Sequence, residues 1–206
     1  MEDFNEQAAE LISKRALDEA ATLLEQALRT MPHGWKPIQD LPDEQLVACW
    51  DTQEFLCYTA HMQGSGSQRK IFWVPPSYSR GYYLLAMIYM ECGQVQEALE
   101  ALDQGLQLEP DHPQLMNEKA YIFQKTNRPA DAFLLFQRAA TARPNWTPNY
   151  IRARTLRGLG VTLVDFGRFE DAEALLKSSL EIEPNNPLAL SELDYIAKLR
   201  ASRPPV

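Results

Sequence analysis

Apolar residues recur at helical spacing along most of this chain. Three segments carry the pattern most clearly. GYYLLAMIYMECGQVQEALEALDQGLQLEP ends at Pro110, MNEKAYIFQKTNRPADAFLLFQRAATARP at Pro144 and TLRGLGVTLVDFGRFEDAEALLKSSLEIEP at Pro184. Each reads as two apolar stripes of helix length joined by a short polar turn. Aligned on one alanine of the second stripe, Ala98 and Ala132 lie 34 residues apart, and Ala132 and Ala172 lie 40 apart, which is the same period plus six inserted residues. A proline follows that alanine by 12 residues each time, and a small residue (Ala86, Ala120, Gly160) precedes it by 12. Two offsets held through three copies mark a repeat.

The N-terminus keeps the same frame through Phe4, Ala8, Leu11, Ala20, Leu24, Ala27 and Pro32. After Pro184, Asn186 and Pro187 supply an N-cap and a first-turn proline for one more helix, LALSELDYIAKLR. TPNYIR, residues 147–152, extends the first helix of the last full unit backward, with Thr147 expected as its cap. The period and its small, aromatic and proline positions resemble the tetratricopeptide repeat. Tyr82, Leu85, Ala86, Tyr89, Ala98, Leu102 and Pro110 carry the signature in one unit; Met116, Ala120, Phe123, Ala132, Phe136 and Pro144 carry it in the next. Lys119 stands where a leucine is usual, so that position is expected to be less buried.

The resemblance implies an all-α fold, a right-handed superhelix of antiparallel helix pairs (an α-solenoid) stabilised by stacking each pair on its neighbours. The expected divisions are a divergent first repeat over 1–34, an insertion over 35–78, repeats over 79–112, 113–146 and 147–186, a capping helix over 187–200 and a tail over 201–206. Small residues at the repeat positions let paired helices approach to roughly 8–10 Å between axes, so they are scaffold.

The insertion breaks the period. It holds Trp35, Trp50 and Trp73 with Phe55, Tyr58, Phe72 and Tyr78, an aromatic content that disordered linkers lack. Pro42-Asp43-Glu44 before Leu46, Val47 and Trp50 predicts a short helix. Alternation from Glu54 to Met62 and the run RKIFWV from Arg69, joined by QGSGSQ, predict a β-hairpin. Two roles stay open for it: a plug covering the face between the first and second helix pairs, or a specificity element offering a strand edge or a lid.

Composition narrows the function. The formal net charge is −8 with a pI near 5.0, which argues against nucleic acid or an anionic membrane as main partner. The start MEDFNEQAAE lacks the basic and apolar regions of a secretory signal, and no run approaches the roughly 18 apolar residues of a membrane helix. Cys49, Cys57 and Cys92 are odd in number and form no CxxC pair, which suits reduced thiols in a cytoplasmic protein. His33, His61 and His112 show no metal spacing. Cys57 and His61, four apart in the expected strand, would stand about 13 Å from one another by strand rise. GSGS lacks the lysine and helix of a phosphate loop. No catalytic residue, metal or cofactor is therefore assigned.

In the resembled family the first helix of each pair lines a concave surface. Counting along those helices places Arg80, Tyr83, Met87, Asn117, Tyr121, Gln124, Arg154 and Arg157 there, with Tyr195 added from the capping helix. That set has arginines and tyrosines but no acidic residue, and so fits a protein or peptide partner of acidic character. Met87 and Tyr121 occupy the places where the family's carboxylate-clamping members carry asparagine, so that subtype is not supported. The reading is a non-enzymatic adaptor or scaffold that binds a partner segment. Secretion chaperone and toxin-neutralising immunity protein are roles implied by fold analogy alone. The alternative is an assembly component that self-associates through residues 35–78.

Overall fold

A computed structural model describes residues 3–201. It contains, in chain order, α1 (Phe4–Ser13), α2 (Leu17–Arg29), β1 (Ile38–Asp40), β2 (Glu44–Val47), α3 (Thr52–Gly64), β3 (Lys70–Trp73), α4 (Tyr78–Glu91) and α5 (Val95–Leu108). It continues through α6 (Pro113–Lys125), α7 (Pro129–Thr141), α8 (Asn149–Asp165), α9 (Phe169–Ile182) and α10 (Pro187–Ala201). The expected tail begins inside α10 at Ala201, and its remainder lies outside the described residues. Two compact units divide the chain, Met1–Leu115 and Met116–Val206.

The four helix pairs reverse direction by one device. Arg15, Gly93, Asn127 and Gly167 have φ of 61°, 75°, 59° and 70°. Each stands five residues before its unit's reference alanine. Around each, the amide of the next residue returns to the carbonyl five back: Ala16 to Leu11, Gln94 to Tyr89, Arg128 to Phe123 and Arg168 to Leu163, at 2.8–3.0 Å. This is the Schellman arrangement, which closes the carbonyls at a helix end with one left-handed residue. Glycine and asparagine adopt it at little cost; Arg15 does so at some.

In the first unit α1 and α2 pack directly against α4. Ala8, Ala20, Leu24, Leu28, Tyr78, Leu84, Leu85 and Ile88 form one core. Gly81 makes the approach possible, since a Cβ there would stand 3.0 Å from Phe4 and 3.1 Å from Leu28. The first two helix pairs therefore meet directly through α4, without the insertion between them. The insertion loops out of the connection from α2 to α4 instead.

The insertion's element order also differs from expectation. Residues 44–47 are not helical but form β2, antiparallel to β1, with Ile38 opposite Val47 and Gln39 opposite Leu46. Pro42 and Asp43 make the hairpin turn, closed by the Leu41 amide on the Glu44 carbonyl at 2.9 Å. Residues 54–62 are not a strand but lie in α3. Asp51 caps that helix, accepting from the Glu54 amide at 2.8 Å, while Glu54 reaches back to the Trp50 amide at 2.7 Å. The first bond satisfies an amide that an uncapped helix leaves open, and the second ties the first turn to the residue before the cap. β3 then returns parallel to β2, completing a sheet of order β1-β2-β3.

In the second unit α8 packs on α7 and α9, and α10 on α9 and α8. Leu163, Phe169, Ala172, Leu176, Ala189 and Ile196 form its core. α8 starts at Asn149, with Pro148 rather than Thr147 at the cap position; the Thr147 hydroxyl donates to the Arg143 carbonyl at 2.8 Å. Among the described residues no helix is long and apolar enough to cross a membrane.

Candidate partner-binding surface

Each first-helix candidate can be placed within its own unit. In the first unit, Arg80 sits on the opening turn of α4, whose cap Ser77 accepts from the Arg80 amide. Its guanidinium donates to Glu6 at 2.5 Å. Tyr83 packs its ring 5.0 Å from that of Trp50, and its hydroxyl accepts from Gln114 at 3.1 Å. Met87 follows one turn later, half-buried.

In the second unit, Asn117 is fully buried, donating to the Thr155 hydroxyl at 2.9 Å. Gln124, seven residues on, repeats the arrangement on Thr162 at 2.8 Å and also reaches the Gly158 carbonyl. These two rungs fix α6 against α8. Asn117 is thus a buried structural bridge and not the solvent-facing contact its position implied, whereas Gln124 stays half-buried while its amide serves the same helix contact. Tyr121, between them, remains 40% exposed, with the Lys125 ammonium 4.8 Å from its ring centre. Tyr195 on α10 is 50% exposed.

The arginines change the electrostatic reading. Arg154 donates to Glu118, and Arg157 donates to Glu183 at 2.6 Å. With Arg80 on Glu6, every candidate arginine meets a carboxylate, although the first-helix positions alone contained none. Counting positions along one helix could not find those partners, because Glu6, Glu118 and Glu183 occupy other registers or other helices. The positive character expected of these positions is therefore corrected to one ion pair in the first unit and two in the second, while Tyr121 and Tyr195 of the second unit stay exposed.

A buried polar cluster in the first unit was not foreseen. Trp50 stacks on His112 with ring centres 3.9 Å apart, and its indole N–H donates to Ser79 at 3.0 Å. Ser79 donates in turn to Glu109 and stands 3.0 Å from the Ser77 hydroxyl. The Ser77 carbonyl accepts from Asn5 of α1 at 2.9 Å, and a Glu54 oxygen lies 3.2 Å from His112 Nε2. Through Trp50 and Glu54 the insertion is seated on the start of α4 and on the α5–α6 connection. The signal for this seat was present in Asp51-x-x-Glu54, a capping pair.

α3 also brings Cys57 and His61 one helical turn apart, much closer than the expected strand would place them. Burial, reinforced by Asp51 and Glu54, pushes the Cys57 thiol up from its ordinary range. A thiol held protonated is a weak nucleophile. Among the described residues no group of three His, Cys, Asp or Glu side chains is placed to hold a metal ion.

Comparison with known proteins agrees with this architecture. The tetratricopeptide repeat family matches over residues 83–145 and again over 152–182. The Protein STIP1 homolog of Dictyostelium discoideum is 27% identical over 89 residues, which are 43% of this chain and 15% of that protein. The chain thus spans only a small part of that relative's length. PilW, described as a type IV pilus biogenesis factor, superimposes with a TM-score of 0.67 at 21% identity, covering 95% of this chain and 68% of that one. The first repeat domain of Spaghetti (RPAP3), solved with the HSP90 peptide SRMEEVD, gives 0.54 at 22% identity over 60% of this chain and 94% of its own. The chain carries tetratricopeptide repeats.

Proposed function

We propose that this tetratricopeptide-repeat chain is a non-enzymatic protein-interaction module whose first-helix faces hold a segment of a partner protein. The observation that carries the reading is the pair of exposed tyrosines, Tyr121 and Tyr195, in the second unit, beside polar neighbours already spent on internal bonds. Tyrosine gives large contact area at low entropic cost, so exposed tyrosines on fixed helices suit an anchoring role. Arg154 and Arg157 are proposed for the same face. Because each is neutralised internally, they orient a partner's carboxylate by sharing donors and do not supply net positive charge. Arg80, Tyr83 and Met87 are proposed as the corresponding contacts of the first unit.

The fold-related Spaghetti domain is described as bound to HSP90 peptide SRMEEVD, which supports a peptide as the class of partner. The finer role we propose is that of a carrier shielding one segment of one protein, in the manner of a secretion chaperone or a toxin-neutralising immunity protein; its support is fold analogy. The acidic composition and the cysteines Cys49, Cys57 and Cys92, which form no disulfide with one another, support a cytoplasmic setting.

Affinity capture from the native cell tests the reading, comparing the wild-type chain with Tyr121→Ala/Tyr195→Ala. These exposed positions change without breaking a buried ion pair, unlike Arg154→Glu, which strands the nearly buried Glu118. Loss of one specific partner is expected. Full recovery of every captured protein by the double variant would overturn the site.

A further inference from the structure

The insertion carries an open sheet edge, on elements other than the first helices of the repeats. β3 is the edge of its sheet: β2 lies on one side, and no strand of the described residues lies on the other. The Lys70 amide donates to Asp43 and the Val74 amide to Val47, at 3.1 and 2.9 Å. By the alternation of a strand, Ile71 and Trp73 turn their amides and carbonyls outward, away from β2. Natural proteins cover, twist or charge such an edge, because it is a template for another chain.

This edge is flanked by a groove. α3 runs beside β3, and between them lies a space of about 410 Å³ whose apolar lining includes Met62, Ile71 and Phe72. Phe72 is 44% exposed, unusual for a phenylalanine that packing alone would place. The connection from α3 to β3 forms one end, with Ser67, Arg69 and Lys70. No carboxylate lines the groove, in a chain of net charge −8. Arg69 is held by Asp40. Lys70 is exposed and has no carboxylate partner among the described residues. An edge strand, an apolar slot beside it and a cationic end make a complementary seat for an extended, acid-bearing segment.

We propose that the free edge of β3, with the α3–β3 groove, is a strand-addition site for an extended partner segment that alternates apolar and acidic side chains. The segment continues the sheet as a fourth strand, exchanging main-chain bonds with Ile71 and Trp73. Its apolar side chains enter between Met62 and Ile71, and a carboxylate meets Lys70. Main-chain bonding supplies the affinity, and the slot and the lysine select the sequence. The site stands independently of the first-helix reading.

The test uses the full chain and a fluorescein-labelled octapeptide of alternating valine and glutamate, VEVEVEVE, followed by fluorescence anisotropy. VKVKVKVK and the proline-interrupted VEVPVEVP serve as comparisons. Ile71→Pro removes one outward amide while leaving the bonds to β2 in place, a substitution that edge strands accept. Lys70→Glu reverses the charge at an exposed position, and Tyr121→Ala alters only the first-helix surface. The expected affinity for VEVEVEVE is on the order of 10–100 µM, with roughly three- to tenfold weakening by Lys70→Glu or in VKVKVKVK. VEVPVEVP and the Ile71→Pro chain should not bind, and Tyr121→Ala should leave binding unchanged. Hydrogen exchange at the Ile71 and Trp73 amides should slow in the complex. Absence of binding at about 1 mM overturns the proposal, as does equal binding to the Ile71→Pro chain. Loss of binding in Tyr121→Ala would assign the peptide to the first-helix face instead. Concentration-dependent dimerisation that protects the same two amides without peptide would make a second copy the occupant and also overturn it.

Discussion

Gly158→Ala should destabilise the second unit, although helix propensity alone gives it the opposite sign. Gly158 lies inside α8, where glycine is worse than alanine by about 1 kcal/mol, so an isolated helix would gain from the change. In the fold, a Cβ at this position would stand 2.3 Å from two ring carbons of Phe136 and 2.8 Å from a third. Ordinary contact begins near 3.4 Å, so ring and helix must separate by about an ångström. Phe136 is 2% exposed, so its ring can yield only against packed neighbours. Overpacking of this kind costs about 1–3 kcal/mol, which leaves a net loss of up to about 2 kcal/mol after the propensity gain. At roughly 2–4 °C per kcal/mol for a chain of this size, thermal unfolding by circular dichroism resolves it. Hydrogen exchange in α7 and α8 reads the second unit by itself. The cause is isolated by a cycle with Phe136→Leu, which should cost less in the alanine background than alone. A raised melting temperature for Gly158→Ala, or additive behaviour in the cycle, would refute the close approach of α8 to Phe136.

Three further outcomes follow from other contacts. Gly93 has open space around it and φ of 75°, so Gly93→Ala tests backbone strain alone; a loss of about 1 kcal/mol is expected in urea unfolding, with Gly93→Asn costing less. Glu192 is raised above its ordinary value by burial and then by the neighbouring Asp165, itself raised by burial. A carboxylate raised on folding opposes the folded state when ionised, and that opposition fades as pH falls through the raised value. Glu192→Gln should therefore stabilise the chain at pH 7, and the gain over wild type should vanish on acidification towards the unfolded carboxylate range; a gain that persists there would sink the assignment. Trp50→Ala removes the indole that joins the insertion to His112 and Ser79, at a cost of about 3–5 kcal/mol. Limited proteolysis should then cut faster within QGSGSQ, and an unchanged cleavage rate would show that Trp50 does not hold the insertion down.

The repeat was legible because its determinants are local and periodic. Ala98, Ala132 and Ala172, their prolines and their small partners each answer a steric demand that recurs at a fixed offset, so one chain displays the rule several times. The turn residues Gly93, Asn127 and Gly167 belong to the same class, and they extend the rule to Arg15 in the first unit. The insertion has no second copy to calibrate it. There Phe55, Leu56, Cys57 and Tyr58 form an apolar run that period alone cannot assign, and strand-like alternation outweighed the Asp51–Glu54 cap. The candidate surface failed to read for a third reason. Arg80, Arg154 and Arg157 were counted along their own helices, whereas their carboxylates come from residues 74, 36 and 26 positions away.

The insertion's attachment differs in kind from the packing of the helix pairs, and this bears on what it can do. The pairs meet through alanine, glycine and leucine, where contact is non-directional and tolerates small shifts. The insertion meets α4 and the α5–α6 connection through Trp50, Glu54, Ser79, Glu109 and His112, all nearly or fully buried. Buried polar groups are costly unless their partners stand in the right directions, so such a seat admits one pose and penalises others. A sheet fixed in that way holds the free edge of β3 at a defined place on the first unit. Strand addition requires such a place, because a mobile hairpin would give up to ordering much of what four new main-chain bonds supply. The polar seat is therefore the condition under which the β3 edge becomes a recognition surface, and releasing it through Trp50→Ala should weaken VEVEVEVE binding even though Trp50 lies outside the groove lining.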